Sequence, residues 1–324
     1  MLRWSALLAR ERLTRSRTPI LIGPWRSEVG FEVLYWLPFL RWLLKDIDGD
    51  RLFVVTRGGA LSLYGGLPGL DLYALRSVES VRQENLYDAQ TTGLQKQLSV
   101  TAWDRDVLKE AARQLLGRGQ DYHVLHPSLM YRTLAPFWSE QRGMQYLASM
   151  TDYAPIPKPA IPPSLELPAQ FVAMKWYTRP TFPPSDAVQA FVKDVTARLA
   201  SQVPIVLLSS GHQGDDHGEM LVEGPNIAHL PRVPAHENLA LQAAVLSRAS
   251  GFIGTYGGVA QMALRLGVAS ASFYTEFGNT AYAHLALSQW LGMRTTTPFV
   301  AGSLADVGLW QQVTRDVVRV PAGV

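Results

Sequence analysis

The chain of 324 residues contains no cysteine. That excludes disulfides and thiolate metal sites, and it fits a reducing, cytoplasmic setting. Its seven histidines show no metal-ligand spacing such as H-E-x-x-H. His212 and His217 flank Asp215 and Asp216, but in a Gly-rich loop this pattern reads as polar loop chemistry, and no metal is called for. No G-x-G-x-x-G follows an early strand, which argues against a dinucleotide-dependent dehydrogenase. Long apolar runs are missing too. The most apolar window, 31–44, is interrupted by Glu32, Pro38 and Arg41 and is too short to span a bilayer. Residues 1–17, MLRWSALLARERLTRSR, lack the apolar core of a secretory signal. The isoelectric point is near 9.1, yet no dense Lys/Arg stripe runs through the domains, which argues against a nucleic-acid partner.

What is present describes a well-supplied globular chain. Hydrophobic residues make up 47% and charged residues 18%, with a net charge of +3, so core material is ample and the chain is long enough for two domains. Six prolines in 154–168, APIPKPAIPPSLELP, disfavour helix and predict an extended linker. This divides the chain into an N-terminal domain, 1–153, and a C-terminal domain, 169–324. In the first, strands are predicted at 19–22, 52–55 and 122–125, with helices at 30–45 and 104–116 and a Gly-rich connection, RGGALSLYGGLPG, from Arg57. In the second, strands at 171–174, 205–209, 251–253 and 270–273 alternate with helices at 185–200, 236–248, 257–266 and 280–291. Apolar strands alternating with amphipathic helices predict parallel sheets covered on both faces. The fold class is therefore α/β, two Rossmann-like domains facing across a cleft, with function expected at the carboxyl ends of the strands.

The most informative segment is GFIGTYGGVAQMALRLGVASASFYTE, 251–276. A buried strand ends at Thr255 and Tyr256, Gly257 and Gly258 follow, and a helix begins near Val259. Unpaired amides and the helix dipole at such a start favour an anion, phosphate above all, and the glycines allow close approach. The next strand tip carries Glu276, where a sugar hydroxyl can be held. The same spacing also serves as a plain strand-to-helix turn. A second segment, FVAMKWYTRPTFP, places Lys175 and Arg179 at another strand tip. There two cations suit a diphosphate leaving group, Arg179 with the better fork for it; an ordinary solvated basic loop is the alternative.

The segment 247–276 resembles the nucleotide-sugar-binding part of the second domain in GT-B glycosyltransferases. In that superfamily a strand, a small-residue turn and a helix start hold the donor diphosphate, and a nearby acid holds the ribose. The paired domains and proline-rich linker are similar as well. The resemblance implies a donor site built from Lys175, Arg179, Thr255, Tyr256, Gly257, Gly258 and Glu276, joined by Ser210, Gly211 and His212 of the loop LLSSGHQGDDHGE. No E-x7-E pair of the many retaining members is found, so the donor and the stereochemical course stay open, with inversion favoured.

In the first domain GPWRSEVGFEVLYWLPFLRW, 23–42, sets Glu28 and Glu32 beside Gly30 just after the first strand. Inverting GT-B enzymes take their general base from the first domain, so Glu28 and, one helical turn on, Glu32 are the implied bases. Acids at a helix start also serve as caps and dipole partners. His126, at the end of strand 122–125, is a further candidate for acceptor contact or proton transfer, or a structural histidine. The resulting expectation is a metal-independent glycosyltransferase without a cofactor, using a nucleotide-diphosphate sugar as co-substrate and a glycan, lipid-linked or other hydroxyl acceptor. A non-catalytic nucleotide- or glycan-binding protein of the same fold, or a glycosyltransferase acting on nucleic acid, are the alternatives. Leu2, Trp4, Leu7 and Leu8 share a helical face with arginines elsewhere, which predicts a leading helix that packs on the domain or lies peripherally on a membrane.

Overall fold

The computed structural model describes residues 2–93, 97–208, 218–276 and 279–304. The chain divides into two compact units, Met1–Pro157 with Ala235–Ala240, and Lys158–Pro234 with the chain from Leu241 on. Residues 151–162 carry neither helix nor strand, as six prolines between 154 and 168 require.

The first unit is built on a four-stranded parallel sheet of β1 (Ile20–Ile22), β2 (Leu52–Thr56), β3 (Gly69–Asp71) and β4 (His123–Leu125), in spatial order β3-β2-β1-β4. All three residues of β1 are buried, as expected of a central parallel strand covered on both faces. On one side Leu21 and Val55 pack with Val81 of the helix Val78–Thr92 and with Val107, Leu108 and Ala111 of the helix Ala102–Leu115. Another packing region is aromatic. Trp25 stacks on Trp36 at 5.7 Å and on Tyr131 at 6.1 Å, and Tyr35 meets Trp138 edge-on at 5.1 Å. Tyr131 and Trp138 come from the helix Ser128–Trp138. The aromatics of the opening stretch are therefore core material.

That stretch folds as one continuous helix over 29–44 whose middle, Glu32–Trp36, has π geometry. Pro38 explains the interruption. Its ring supplies no N–H and crowds the carbonyl four residues back, and the chain responds by widening the preceding turn, with Leu37 N–H reaching the Glu32 carbonyl five residues back. The Leu34 carbonyl, which a residue other than proline at 38 would engage, instead accepts the Tyr153 hydroxyl at 3.0 Å.

The second unit holds a six-stranded parallel sheet of β5 (Val172–Lys175), β6 (Ile205–Leu207), β7 (Ile227–His229), β8 (Gly251–Thr255), β9 (Ser270–Tyr274) and β10 (Phe299–Ser303). Its spatial order, β10-β9-β8-β5-β6-β7, is the doubly wound Rossmann arrangement: the chain builds outward from β5 through β6 and β7, returns to β8 on the other side, and builds outward again. The central strand β8 is buried along its whole length. Trp176, Phe182, Val188, Val192, Val195 and Leu199 cover one region of this core beneath the helix Asp186–Ala200. Both units are thus α/β with wholly parallel sheets.

Candidate functional site

In an open doubly wound sheet the strand order reverses at one point, and the two loops leaving the carboxyl ends there diverge to opposite faces and leave a crevice. In the second unit that point lies between β5 and β8, and the loops are 176–182 and 256–258. The sequence-predicted donor residues Arg179, Tyr256, Gly257 and Gly258 fall on them, and Thr255 is the last residue of β8. Thr255 ties the two tips together: its hydroxyl accepts the Tyr177 N–H at 3.0 Å and donates to the Tyr177 carbonyl at 2.9 Å. Arg179 Nη1 donates to the Tyr256 carbonyl at 3.2 Å, while its buried Nε has no hydrogen-bond partner among the described residues. The guanidinium therefore lies against the start of the helix Gly258–Arg265, whose first amides point outward along the positive end of the helix dipole.

Gly257, the N-cap residue of that helix, is fixed by crowding. A Cβ there would sit 2.1 Å from the Tyr177 hydroxyl and 2.6 Å from Arg179 Nη1, so any side chain would push the guanidinium aside. Tyr256 is turned inward, only 3% exposed. Burial raises its hydroxyl pKa, so it stays a neutral phenol at ordinary pH. Its backbone carbonyl, not its side chain, meets Arg179. Glu276 is exposed just beyond β9.

Lys175 differs from its expected role. Its Nζ donates to Gln242 Oε1 at 2.9 Å and lies 3.3 Å from Glu219 Oε1. Much of its charge is thereby matched inside the protein, and an anion would have to compete with Glu219 for it. Ser210, Gly211 and His212 lie outside the described residues.

In the first unit the order β3-β2-β1-β4 reverses between β1 and β4, and the loops at that point are 23–28 and 126–127. Glu28, Arg26 and His126 all lie on them. This reversal point is packed with the protein's own polar groups. Arg26 is fully buried and bonds Asp104 Oδ1 through Nε at 3.1 Å and Asn85 Oδ1 through Nη1 at 2.8 Å, with Asp88 Oδ2 2.7 Å from Nη2. Gln97 accepts the Arg26 N–H at 3.0 Å and donates to the Pro24 carbonyl at 2.7 Å. His126 Nε2 lies 3.3 Å from Asp104 Oδ2, and its Nδ1 accepts the Ser128 N–H at 3.1 Å. Burial alone would raise the Asp104 pKa, but the hydrogen bond from His126 and the Arg26 charge outweigh it and hold the carboxyl at about 2. His126, only 5% exposed, is thus a buried partner of Asp104 and not an open strand-tip base.

The two acids of the opening stretch part company. Glu32 faces inward from the π segment and is 1% exposed, with Oε1 accepting the Thr56 hydroxyl at 2.6 Å and the Tyr64 hydroxyl at 2.5 Å. Desolvation raises its pKa to about 7 against those two hydrogen bonds and the Arg57 charge. The turn from Glu28 to Glu32 is α-helical, with the Glu32 N–H donating to the Glu28 carbonyl at 3.2 Å, and it carries Glu32 to the core side, where the Thr56 and Tyr64 hydroxyls hold its carboxyl. Glu28 is half-buried and is the N-cap residue of the helix, in extended conformation, yet its side chain makes no capping hydrogen bond. The carboxylate is therefore not spent on the helix amides, the plain use for an acid at that position.

A glycine pair also follows β2. The amides of Gly58 and Gly59 donate to the Asp71 carboxylate at 3.1 and 2.6 Å, and Asp71 also accepts the Tyr73 N–H at 2.9 Å. The internal carboxylate of β3 fills this turn. Sequence reasoning missed Asp71, Gln97, Glu219 and Gln242 as partners, although T-x-x-D at Thr101–Asp104 carries the capping-box signature that the structure displays.

Among the described residues no group of three or more His, Asp or Glu side chains is placed to hold a metal ion, and no helix is long and apolar enough to cross a membrane. No protein-family model and no curated protein sequence matches the chain. Among solved structures it is similar to the heptosyltransferase WaaC of E. coli with ADP, at 13% identity and TM-score 0.42 over 81% of this chain and 89% of that one. It is also similar to a glycosyl transferase of family 9 from Veillonella parvula DSM 2008, at 12% identity and TM-score 0.43 over 94% and 91%. A third similar structure is the glycosyltransferase SnogD from Streptomyces nogalater, at 15% identity and TM-score 0.36 over 94% and 95%.

Proposed function

We propose that this protein is a glycosyltransferase that moves a sugar from a nucleotide-diphosphate donor to an acceptor hydroxyl. The observation that carries the reading is the reversal point of the second sheet. There a guanidinium whose buried Nε has no partner among the described residues, a crowded glycine and the start of an eight-residue helix come together. These are the groups that hold a diphosphate and stabilise the charge it gains on leaving. Arg179 and the first amides of the helix Gly258–Arg265 bind the phosphates, and Glu276 takes a sugar hydroxyl of the nucleotide.

In the proposed reaction Glu28 accepts the acceptor's hydroxyl proton. The freed oxygen bonds the anomeric carbon from the face opposite the leaving group, and the bond from that carbon to the diphosphate oxygen breaks, with inversion. The electron pair goes to the nucleoside diphosphate, whose added charge Arg179 and the helix start offset, so no metal ion is required. Glu32 and His126 take no part in the transfer. With no cysteine in the chain, a reducing cytoplasmic setting belongs to the same reading.

Calorimetric titration with nucleoside diphosphates, followed by assay of diphosphate release from UDP-, GDP-, dTDP- and ADP-sugars, tests the reading. Absence of both binding and release would refute it. The enclosure of Glu32 and His126, two of three candidate bases, favours one second reading, a nucleotide-binding protein without transferase activity. Tight binding with no release across a broad acceptor panel would select it.

A further inference from the structure

Beside the edge strand β4 the first unit has an open groove of about 1170 Å³. Arg12, Arg76, Arg105, Lys109, Arg118 and Arg132 line it, and all but Arg76 are exposed. A further cation, Arg113, pairs with Glu110 of the same wall; Asp106 and Asp121 are the other acids there. Cations thus outnumber acids by more than two to one along a surface that the proposed transfer does not use.

One wall of this groove is the helix Leu2–Arg15, which contributes Ala9, Arg12 and Leu13. That helix is anchored by Ala6 and Leu13, both buried, and by a pair between Arg10 and Asp46. Its outward face carries Trp4, 67% exposed, and Leu8, 60% exposed. These are one helical turn apart, and Leu8 is in turn one turn from Arg12. Arg15, on the same face, is paired with Glu11. Single exposed apolar residues are ordinary. An exposed Trp and Leu stacked along one helix face and continuous with a cationic groove form a two-part surface, an apolar wedge and a basic collar.

We infer that this surface docks the protein on an anionic lipid bilayer, with Trp4 and Leu8 entering the headgroup–acyl boundary and the groove cations facing the lipid phosphates. Two side chains bury too little area to hold a protein on a membrane by themselves, and cations alone give only a diffuse, salt-screened attraction; together they supply the two signals that reversible anchoring needs. Charge complementarity selects acidic over neutral lipid. The indole suits the boundary, with an apolar ring and one polar N–H. The inference is independent of the transferase reading, because it uses none of the residues assigned to the donor or the base.

The test is co-sedimentation of the full chain with vesicles of phosphatidylcholine alone and of phosphatidylcholine with phosphatidylglycerol in equal parts. Binding is expected to the mixed vesicles only, and to weaken as salt is raised. The double variant Trp4→Ser/Leu8→Ser should lower partitioning about tenfold or more, and Arg12→Glu or Arg118→Glu about fivefold or more each. The thermal unfolding midpoint, measured on the same variants, should stay within a few degrees of the parent and so report intact folding. Equal binding to neutral vesicles, no binding to acidic ones, or indifference to all of these substitutions would overturn the inference. Binding of a soluble polyglutamate peptide by the full chain with no binding to acidic vesicles would also overturn it, and would reassign the groove to an acidic polypeptide.

Discussion

At the scale of single residues, two glutamates four positions apart have opposite fates. Glu32 carries a folded-state pKa of about 7 against an ordinary 4.5. The folded state therefore holds this proton more tightly than the unfolded chain does. The stabilisation is complete below pH 4.5 and is lost as pH rises toward 7, by about 3 kcal/mol in all. Glu32→Gln keeps an acceptor for Thr56 and Tyr64 without the titration, so urea denaturation should show a flatter pH dependence between 5 and 7 and a variant more stable than the parent at pH 8. Glu28 is expected to behave differently. Glu28→Gln should abolish diphosphate release while leaving donor affinity within about twofold, and unchanged turnover would remove it from the mechanism. Arg179→Ala should weaken nucleoside diphosphate binding about ten- to a hundredfold by calorimetry, the worth of one or two charge-assisted hydrogen bonds.

At the scale of elements, Gly257 and Pro38 show how much local structure a single residue decides. Gly257→Ala places a methyl within 2.1 Å of the Tyr177 hydroxyl. It should cost nucleotide affinity at least as much as removing Arg179, because it displaces that guanidinium together with the turn. Tyr153→Phe leaves the Leu34 carbonyl beside the widened turn without the hydroxyl it accepts. A loss of about 1 kcal/mol in urea denaturation is expected. The central elements were legible in the sequence: the strands at 20–22, 52–56, 172–175, 205–207, 251–255 and 270–274 are apolar runs, and the helices Ala102–Leu115 and Asp186–Ala200 carry the Thr101 and Ser185 caps with amphipathic spacing. The outer strands β3, β7 and β10 were not. GLD and IAH are three residues long with little apolar content, and FVAGS is only partly buried. The helix Val78–Thr92 was missed because it buries only one aliphatic side chain, Val81, beside the carboxylate of Asp88; its partner is the Arg26 charge, which no hydrophobic periodicity records. The helix Ser128–Trp138 was hidden by Pro136 inside its last turns. In the candidate site, strand-tip placement followed from the α/β pattern, but side-chain direction did not. Whether Glu32 or His126 points in or out depends on partners far along the chain: Thr56 and Tyr64 for Glu32, and for His126 on Asp104, which lies 22 residues before it.

At the scale of the whole molecule, the buried ionisable groups sit mostly in the first unit, and they oppose one another. Asp104, held at about 2 against an ordinary 3.8, stabilises the fold above pH 3.8 and loses that contribution as pH falls toward 2, about 2 kcal/mol in all. Glu32 works the other way between 4.5 and 7. As a pair they contribute most to the first unit's stability near pH 4 to 5. Thermal scans across pH should show a transition with that optimum, and in Glu32→Gln the decline above pH 5 should be reduced. A single transition indifferent to pH between 3 and 7 would contradict both assignments.

The glycine pair after β2 gives the two halves of the chain unequal standing toward any phosphate. At Gly58 and Gly59 the outward amides already clasp Asp71, a tenant that cannot diffuse away because it is tethered by the chain itself. At the other pair, Gly257 and Gly258, the neighbouring charged side chain is instead the Arg179 guanidinium. On the proposed reading a phosphate would have to displace Asp71 from the first turn, and the second turn is the one that offers it a cation.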